Sequence, residues 1–258
     1  MWNINRIAKT IKLNNPVLIE GLPGIGNVGK VAVDFMIDDL EAKKLCEFES
    51  HAYPHSVYVN EKNIIELPII EMYYKQRKSK NDLLFLSGDV QPIDEISCYQ
   101  FSEKVLELFQ THKGKEIITI GGIAQKEIPK NPKIYCTGNS QRLINNYTRG
   151  MRINKNLYGA IGPITGVSGL LLGLAKKRRI PAITLLAETH AHPLYLGVNG
   201  AKEIIRILNK KLGLRVQTRS LDKEIHEIEQ ELQEFGENIK PTSLKKLKTK
   251  TKEVNYIG

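Results

Sequence analysis

Pro16-Val17-Leu18-Ile19-Glu20 is a short apolar run that opens directly into Gly21-Leu22-Pro23-Gly24-Ile25-Gly26-Asn27-Val28-Gly29-Lys30. After the glycines, Val28, Val31, Ala32, Phe35, Met36 and Leu40 recur at helical spacing. A run this short and apolar fits a buried strand, and the 3.6-residue period fits an amphipathic helix. Residues 16–40 therefore read as strand, glycine turn and helix, the unit of a sheet covered by helices.

The pattern repeats along the chain. Leu83–Leu86 and Glu116–Ile120 are further buried strands, and the second ends in Gly121-Gly122. Residues 93–112 predict a helix with Ile96, Val105, Leu108 and Phe109 inward. Tyr158-Gly159-Ala160-Ile161 reads as a short strand, followed by a second glycine-rich turn, Gly162–Gly169, and a helix over Leu170–Arg179. Pro181–Leu186 is the next strand, and residues 199–212 form a helix closed by Gly213. Two apolar runs, 56–59 and 63–70, flank Asn60-Glu61-Lys62 and predict an antiparallel hairpin. Strands alternating with helices imply a mostly parallel sheet covered on both faces, and the hairpin makes it mixed.

Composition agrees. The chain has 258 residues, 41% hydrophobic and 26% charged, within the globular range and long enough to bury a core. The net charge is +10, but residues 240–258 hold six lysines against one glutamate, leaving +5 on the first 239 residues. That body charge is ordinary, and aromatics do not interleave the terminal lysines, so nucleic acid is not the expected partner. Cys46, Cys98 and Cys136 form no CxxC pair, which fits a reducing cytosol better than a disulfide framework. The N-terminal residues lack the apolar core of a signal peptide, and no apolar stretch spans a bilayer. A cytoplasmic protein with no membrane partner is expected.

Residues 221–239 differ. Leu221, Ile225, Ile228, Leu232, Phe235 and Ile239 step by 4, 3, 4, 3, 4, a heptad seam. This segment either packs on its own domain or mediates self-association. Pro241 ends it, and a lysine-rich, flexible tail follows. The chain thus divides into a core domain at 1–216, a C-terminal amphipathic helix at 217–240 and a tail at 241–258.

Three motifs carry possible chemistry. Gly24-x-Gly26-x-x-Gly29 matches the dinucleotide fingerprint, with Glu47 and Glu49 about 20 residues on. Three intervening residues lengthen the turn, however, and a hairpin replaces the second strand–helix unit. Gly24, Gly29 and Lys30 also approach a phosphate loop, but Val31 stands where a magnesium-binding hydroxyl is required. A plain anion site at this helix start stays open, with Gly24, Gly26, Asn27, Gly29, Gly166, Gly169 and Glu188 as candidate residues. The steric alternative is that these glycines let a helix start close against a strand. Glu188, His190 and His192 fall on one side of a strand end if it is extended, but no further Cys or His cluster is evident, so no metal is expected. Gly166-Val167-Ser168-Gly169 is one residue short of a nucleophile elbow, and no catalytic set can be named.

Gly21–Gly29 resembles the N-terminal signature of the archaeal members of the proteasome assembly chaperone 2 family. Gly162-Pro163-Ile164-Thr165-Gly166-Val167-Ser168-Gly169-Leu170 through Ala175, then Ile180-Pro181 and Leu185–Thr189, resembles the second signature. Where that family has a Gly-Glu-Thr-Pro-Gly-like stretch, this chain reads Ala187-Glu188-Thr189-His190-Ala191-His192-Pro193. The resemblance covers roughly residues 14–216. It implies a three-layer α/β/α fold similar to the purine nucleoside phosphorylase and peptidyl hydrolase group. It implies a non-enzymatic role without cofactor in assembling 20S proteasome α-subunits, and a homo-oligomer. Some archaeal relatives end in a hydrophobic-Tyr-any tripeptide that inserts between α-subunits. The corresponding anchor here is Val254, Tyr256, Ile257 and Gly258, with Tyr256 third from the end. The alternative function is a nucleotide- or anion-binding protein or enzyme that uses the Gly24–Gly29 loop.

Overall fold

A computed structural model of the protein describes residues 2–7, 11–60, 62–159, 162–192, 195–219 and 221. The heptad segment beyond Leu221, the lysine-rich tail and the anchor Val254, Tyr256, Ile257 and Gly258 lie outside the described residues.

The strands are β1 (Asn3–Arg6), β2 (Val17–Glu20), β3 (Lys43–Glu49), β4 (Tyr58–Val59), β5 (Ile65–Glu66), β6 (Ile70–Lys75), β7 (Leu83–Gly88), β8 (Glu116–Gln125), β9 (Ile134–Gly138), β10 (Ile153–Asn154) and β11 (Ala182–His190). The helices are α1 (Val28–Asp39), α2 (Glu95–Thr111), α3 (Gln141–Thr148), α4 (Gly166–Lys177) and α5 (Val198–Leu212). Nine strands form one sheet in the order β1-β3-β6-β7-β2-β8-β11-β9-β10. Its centre, β7-β2-β8-β11, is parallel. Antiparallel neighbours flank it, through β6 and β3 on one side and β9 on the other.

Strand alternation sorts the core into two layers. Val17, Ile19, Leu83, Phe85, Ile118, Ile120, Ile183 and Leu185 point to the face covered by α1, α3 and α5. Leu18, Leu84, Leu86, Ile117 and Ala182 point to the face covered by α2 and α4. The period of two sends successive side chains to opposite layers, which is why each central strand is largely apolar on both faces. The three-layer α/β/α arrangement expected from the sequence is the observed one.

Several local expectations need correction. The hairpin pairs Tyr58 with Glu66 and Val59 with Ile65, but as a separate two-stranded ribbon. Pro68 has no N–H to continue the ladder, and the chain joins the main sheet only at β6. The antiparallel members of the main sheet are instead β1, β3, β6 and β9. The expected strand at 158–161 is absent over its described part, because Tyr158 and Gly159 form a turn and Gly159 has φ +74°. Ala160 and Ile161 lie outside the described residues. Ile96 is not inward: it is 71% exposed, in the first turn of α2. The α4 helix begins at Gly166, four residues earlier than expected. Leu221, counted in the separate C-terminal helix by its heptad position, is buried in the core layer of α1 and α5.

Candidate functional site

The parallel strands deliver their carboxyl ends to one edge of the sheet, where open α/β sheets place their ligand crevices. Both glycine-rich turns meet there. The first follows β2 and makes a short 3-10 turn over Ile25–Asn27 before α1. Gly26 has φ +60°, and a Cβ on it would lie 2.3 Å from Thr189 Oγ1. A Cβ on Gly29 would lie 2.5 Å from the Ile120 carbonyl, and one on Gly21 would lie 2.1 Å from the Gly29 carbonyl. These glycines seat the first turn of α1 directly on β2 and β8. Gly24 differs, since a Cβ there would meet nothing within 4 Å.

The second turn is tied to the first by two side chains. Glu20, the last residue of β2, is fully buried. Its carboxylate accepts from Leu22 N–H at 3.0 Å and from Ser168 O–H at 2.8 Å. Burial pushes its pKa up to about 7, although both hydrogen bonds pull downward. Gln91 is the second tie. Its Nε2 donates to the Pro23 carbonyl at 2.6 Å, and its Oε1 accepts from Val167 N–H at 3.0 Å. Gly166, at φ +75°, turns the chain into α4 beside that amide oxygen. Gly169 packs equally close, with its Cβ position 2.0 Å from the Ile164 carbonyl. Gly197 N–H donates to the Gly26 carbonyl at 2.7 Å and closes the loop against α5.

Glu188 does not join the two loops. Its carboxylate accepts from Lys133 N–H at 3.1 Å and from Tyr135 O–H at 3.0 Å, which ties β11 to β9. Strand alternation places its neighbour Thr189 on the loop side instead. Thr189 is buried, and its hydroxyl has no hydrogen-bond partner among the described residues. Asn27 takes the left-handed conformation at φ 50° and its side chain makes no capping bond.

Lys30, at the position a phosphate-loop lysine would take, is turned to acids. Its ammonium lies 2.9 Å from Asp34 and 3.8 Å from Asp89. Asp34 also accepts from the Ser87 hydroxyl. Burial still raises the Asp34 pKa above its ordinary value, against the pull of Lys30. His190 and His192 stack in parallel planes with centroids 5.9 Å apart, and no cluster of three or more metal-ligating side chains occurs among the described residues. Cys46, Cys98 and Cys136 are free and buried. Burial pushes the thiols of Cys46 and Cys136 up to about 12, so neither is a nucleophile near neutral pH. No described helix is long and apolar enough to cross a membrane.

The arrangement is a rigid platform. Glu20 and Gln91 fix the two loops to each other, and the tip presented is Gly24 and the half-exposed Ile25. Glu20, Gln91 and Thr189 were missed by motif reading. For Glu20 a signal existed, namely a carboxylate closing a strand that is otherwise wholly apolar.

Comparison with known proteins bears on this platform. The sequence profile of the PAC2 family matches residues 18–235. Uncharacterized protein MJ1210 of Methanocaldococcus jannaschii is 29% identical, over 99% of this chain and 97% of that protein. The crystal structure of Pyrococcus furiosus PbaB, an archaeal proteasome activator, superposes with a TM-score of 0.82 at 30% identity. That match covers 91% of this chain and 98% of PbaB. Pyrococcus furiosus PbaA, an archaeal homolog of proteasome-assembly chaperone, shares the fold with a TM-score of 0.73 at 24% identity, covering 91% of this chain and 92% of PbaA.

Proposed function

The chain belongs to the PAC2 family, and from that premise we propose that it is a non-enzymatic proteasome-binding or proteasome-assembly factor. The observation that carries this reading is the likeness to PbaB across nearly the whole of both chains. The site agrees with it. A carboxylate that could serve acid–base chemistry, Glu20, is sealed from solvent and saturated by Leu22 and Ser168.

The partner surface is proposed to include the β4–β5 ribbon. Val59 and Ile65 face each other across it and are 64% and 65% exposed. Leu67 and Val57 beside them are exposed as well. Aliphatic side chains gathered on a two-stranded ribbon are more typical of a protein contact than of a free surface.

The chain acts in the cytoplasm as a homo-oligomer, and its target is the α-subunits of the 20S particle. Val254, Tyr256, Ile257 and Gly258 serve as the anchor, delivered by the lysine-rich linker. Such a short segment loses entropy on docking and binds weakly alone, so several copies on one oligomer raise its effective concentration. The test is capture of proteasome subunits from native lysate by the full chain and by a chain lacking Val254–Gly258. Capture by the full chain and loss on deletion support both the function and the anchor. Equal capture by the two chains removes the anchor, and capture by neither overturns the function.

A further inference from the structure

The β4–β5 ribbon carries an inverted pattern. Val57 and Val59 are exposed, and Tyr58 between them is buried. Beyond the turn, Ile65, Leu67 and Ile69 are exposed, while Glu66 is half-buried and Pro68 is buried. Val59 and Ile65 are cross-strand partners, so the period of two puts Val57, Val59, Ile65 and Leu67 on one face. A ribbon that rests one face on the body normally turns polar side chains to water on the other. Here the outward positions are aliphatic.

The ribbon is fixed in this pose. The Asn60 amide oxygen accepts from Lys62 N–H and Ile64 N–H, both at 3.0 Å, and Asn60 Nδ2 donates to Glu66 at 2.8 Å. The Tyr58 hydroxyl donates to the Asp89 carbonyl at 3.4 Å. More aliphatic surface lies near it. Ile93 donates its N–H to the Ala52 carbonyl, ahead of β4, and both Ile93 and Ile96 are exposed.

A second copy of this chain is the occupant that fits. A standard interface takes about 800 Å² from each partner, and about 65% of it is apolar in homodimers, or roughly 500 Å². At about 120 Å² per fully exposed aliphatic side chain, Ile69, Ile93, Ile96 and the four on the ribbon face offer roughly that area. The outward positions hold no charge and no Tyr, Trp or Arg, the side chains on which changing partners rely. An aliphatic face suits a partner that is always present. It is also complementary to itself, as a two-fold contact requires.

We propose that two copies of this chain pack their β4–β5 ribbons face to face. The proposal rests on the homo-oligomer reading, and names a second copy as the partner of the ribbon surface.

The mass of the full chain in solution, followed by light scattering, tests the proposal. Val59→Lys/Leu67→Lys places like charges across the contact. It should raise the dissociation constant at least about 100-fold, so that the mass falls to half or less. Both positions are exposed in the single chain, so the fold should survive, which an unchanged circular dichroism spectrum checks. Val59→Cys reads the contact without breaking it. Cys46, Cys98 and Cys136 are buried, so a short bismaleimide should link copies of this variant far more than copies of Tyr158→Cys, on an exposed turn. A lysine variant with the parent's oligomeric mass, or equal linking of the two cysteine variants, overturns the proposal and spares the homo-oligomer reading. A parent that is a monomer at every concentration overturns both. Lost capture of proteasome subunits by a lysine variant of unchanged mass overturns the proposal in favour of a proteasome contact.

Discussion

Ser168 donates its hydroxyl to the buried carboxylate of Glu20 at 2.8 Å, across 148 positions of chain. This contact joins the end of the central strand to the first turn of α4, and with them the two glycine-rich signatures. A carboxylate in that position makes stability depend on pH.

The Glu20 pKa is raised from 4.5 to about 7 in the folded state, chiefly by burial. Between those values the folded protein keeps a proton that the unfolded chain has lost, so stability falls as pH rises through the window. The full cost, reached above the folded pKa, is on the order of 3 kcal/mol. Glu20→Gln keeps an acceptor for Leu22 N–H and removes the titration. Melting temperatures measured from about pH 5 to about pH 8 should show the variant gaining on the parent as pH rises. Parallel profiles would mean that Glu20 is not the titrating group.

Glycines in the first loop should differ sharply in tolerance. At Gly29 an added Cβ meets backbone at 2.5 Å, whereas at Gly24 it meets nothing within 4 Å. Gly29→Ala should cost about 2–3 kcal/mol in urea unfolding, since a backbone clash cannot be relieved by a rotamer change. Gly24→Ala should stay within about 0.5 kcal/mol. A loss of partner capture in Gly24→Ala without a loss of stability would show that the exposed tip makes contact.

Gln91 bridges Pro23 and Val167 with one amide group. Gln91→Ala leaves the Pro23 carbonyl and the Val167 N–H without this partner and should cost about 1–3 kcal/mol. Hydrogen exchange should quicken at both loops together. Faster exchange at one loop alone would mean that they are coupled by other contacts.

Lys30 offsets the partly buried carboxylate of Asp34. Lys30→Met should destabilise the protein by about 1–2 kcal/mol, because it leaves a partly buried carboxylate with only the Ser87 hydroxyl beside it. Lys30→Met/Asp34→Leu should recover most of the loss, as apolar replacements of buried pairs often do. ATP should not shift the melting temperature of parent or variant. A shift in the parent that Lys30→Met abolishes would restore the phosphate-loop reading.

Much of this was legible in the sequence because it is local. Val17–Ile19 and Leu83–Leu86 are apolar at every position, which marks strands buried on both faces. Val28, Val31, Ala32 and Met36 mark the buried side of α1. Strands β3 and β9 were harder to read, because Lys43, Lys44, Glu47 and Glu49 dilute one, and Tyr135, Thr137 and Gly138 the other. The exposed Ile96 broke a periodicity argument, since one apolar residue at helical spacing does not establish that its side of the helix is covered.

The sequence alone determined the alternation of strands and helices, the two glycine-rich helix starts and the family. All three rest on periods and motifs written within a few neighbouring residues. Tertiary structure alone decided what those glycines touch, that Glu188 turns to β9 while Thr189 meets the loop, and that Gln91 and Glu20 hold the two turns together. It also gathered Lys130, Arg152 and Arg206 into one cleft, where the sequence showed only an unremarkable body charge. Such contacts join residues tens of positions apart. They depend on strand order, which local periodicity does not encode.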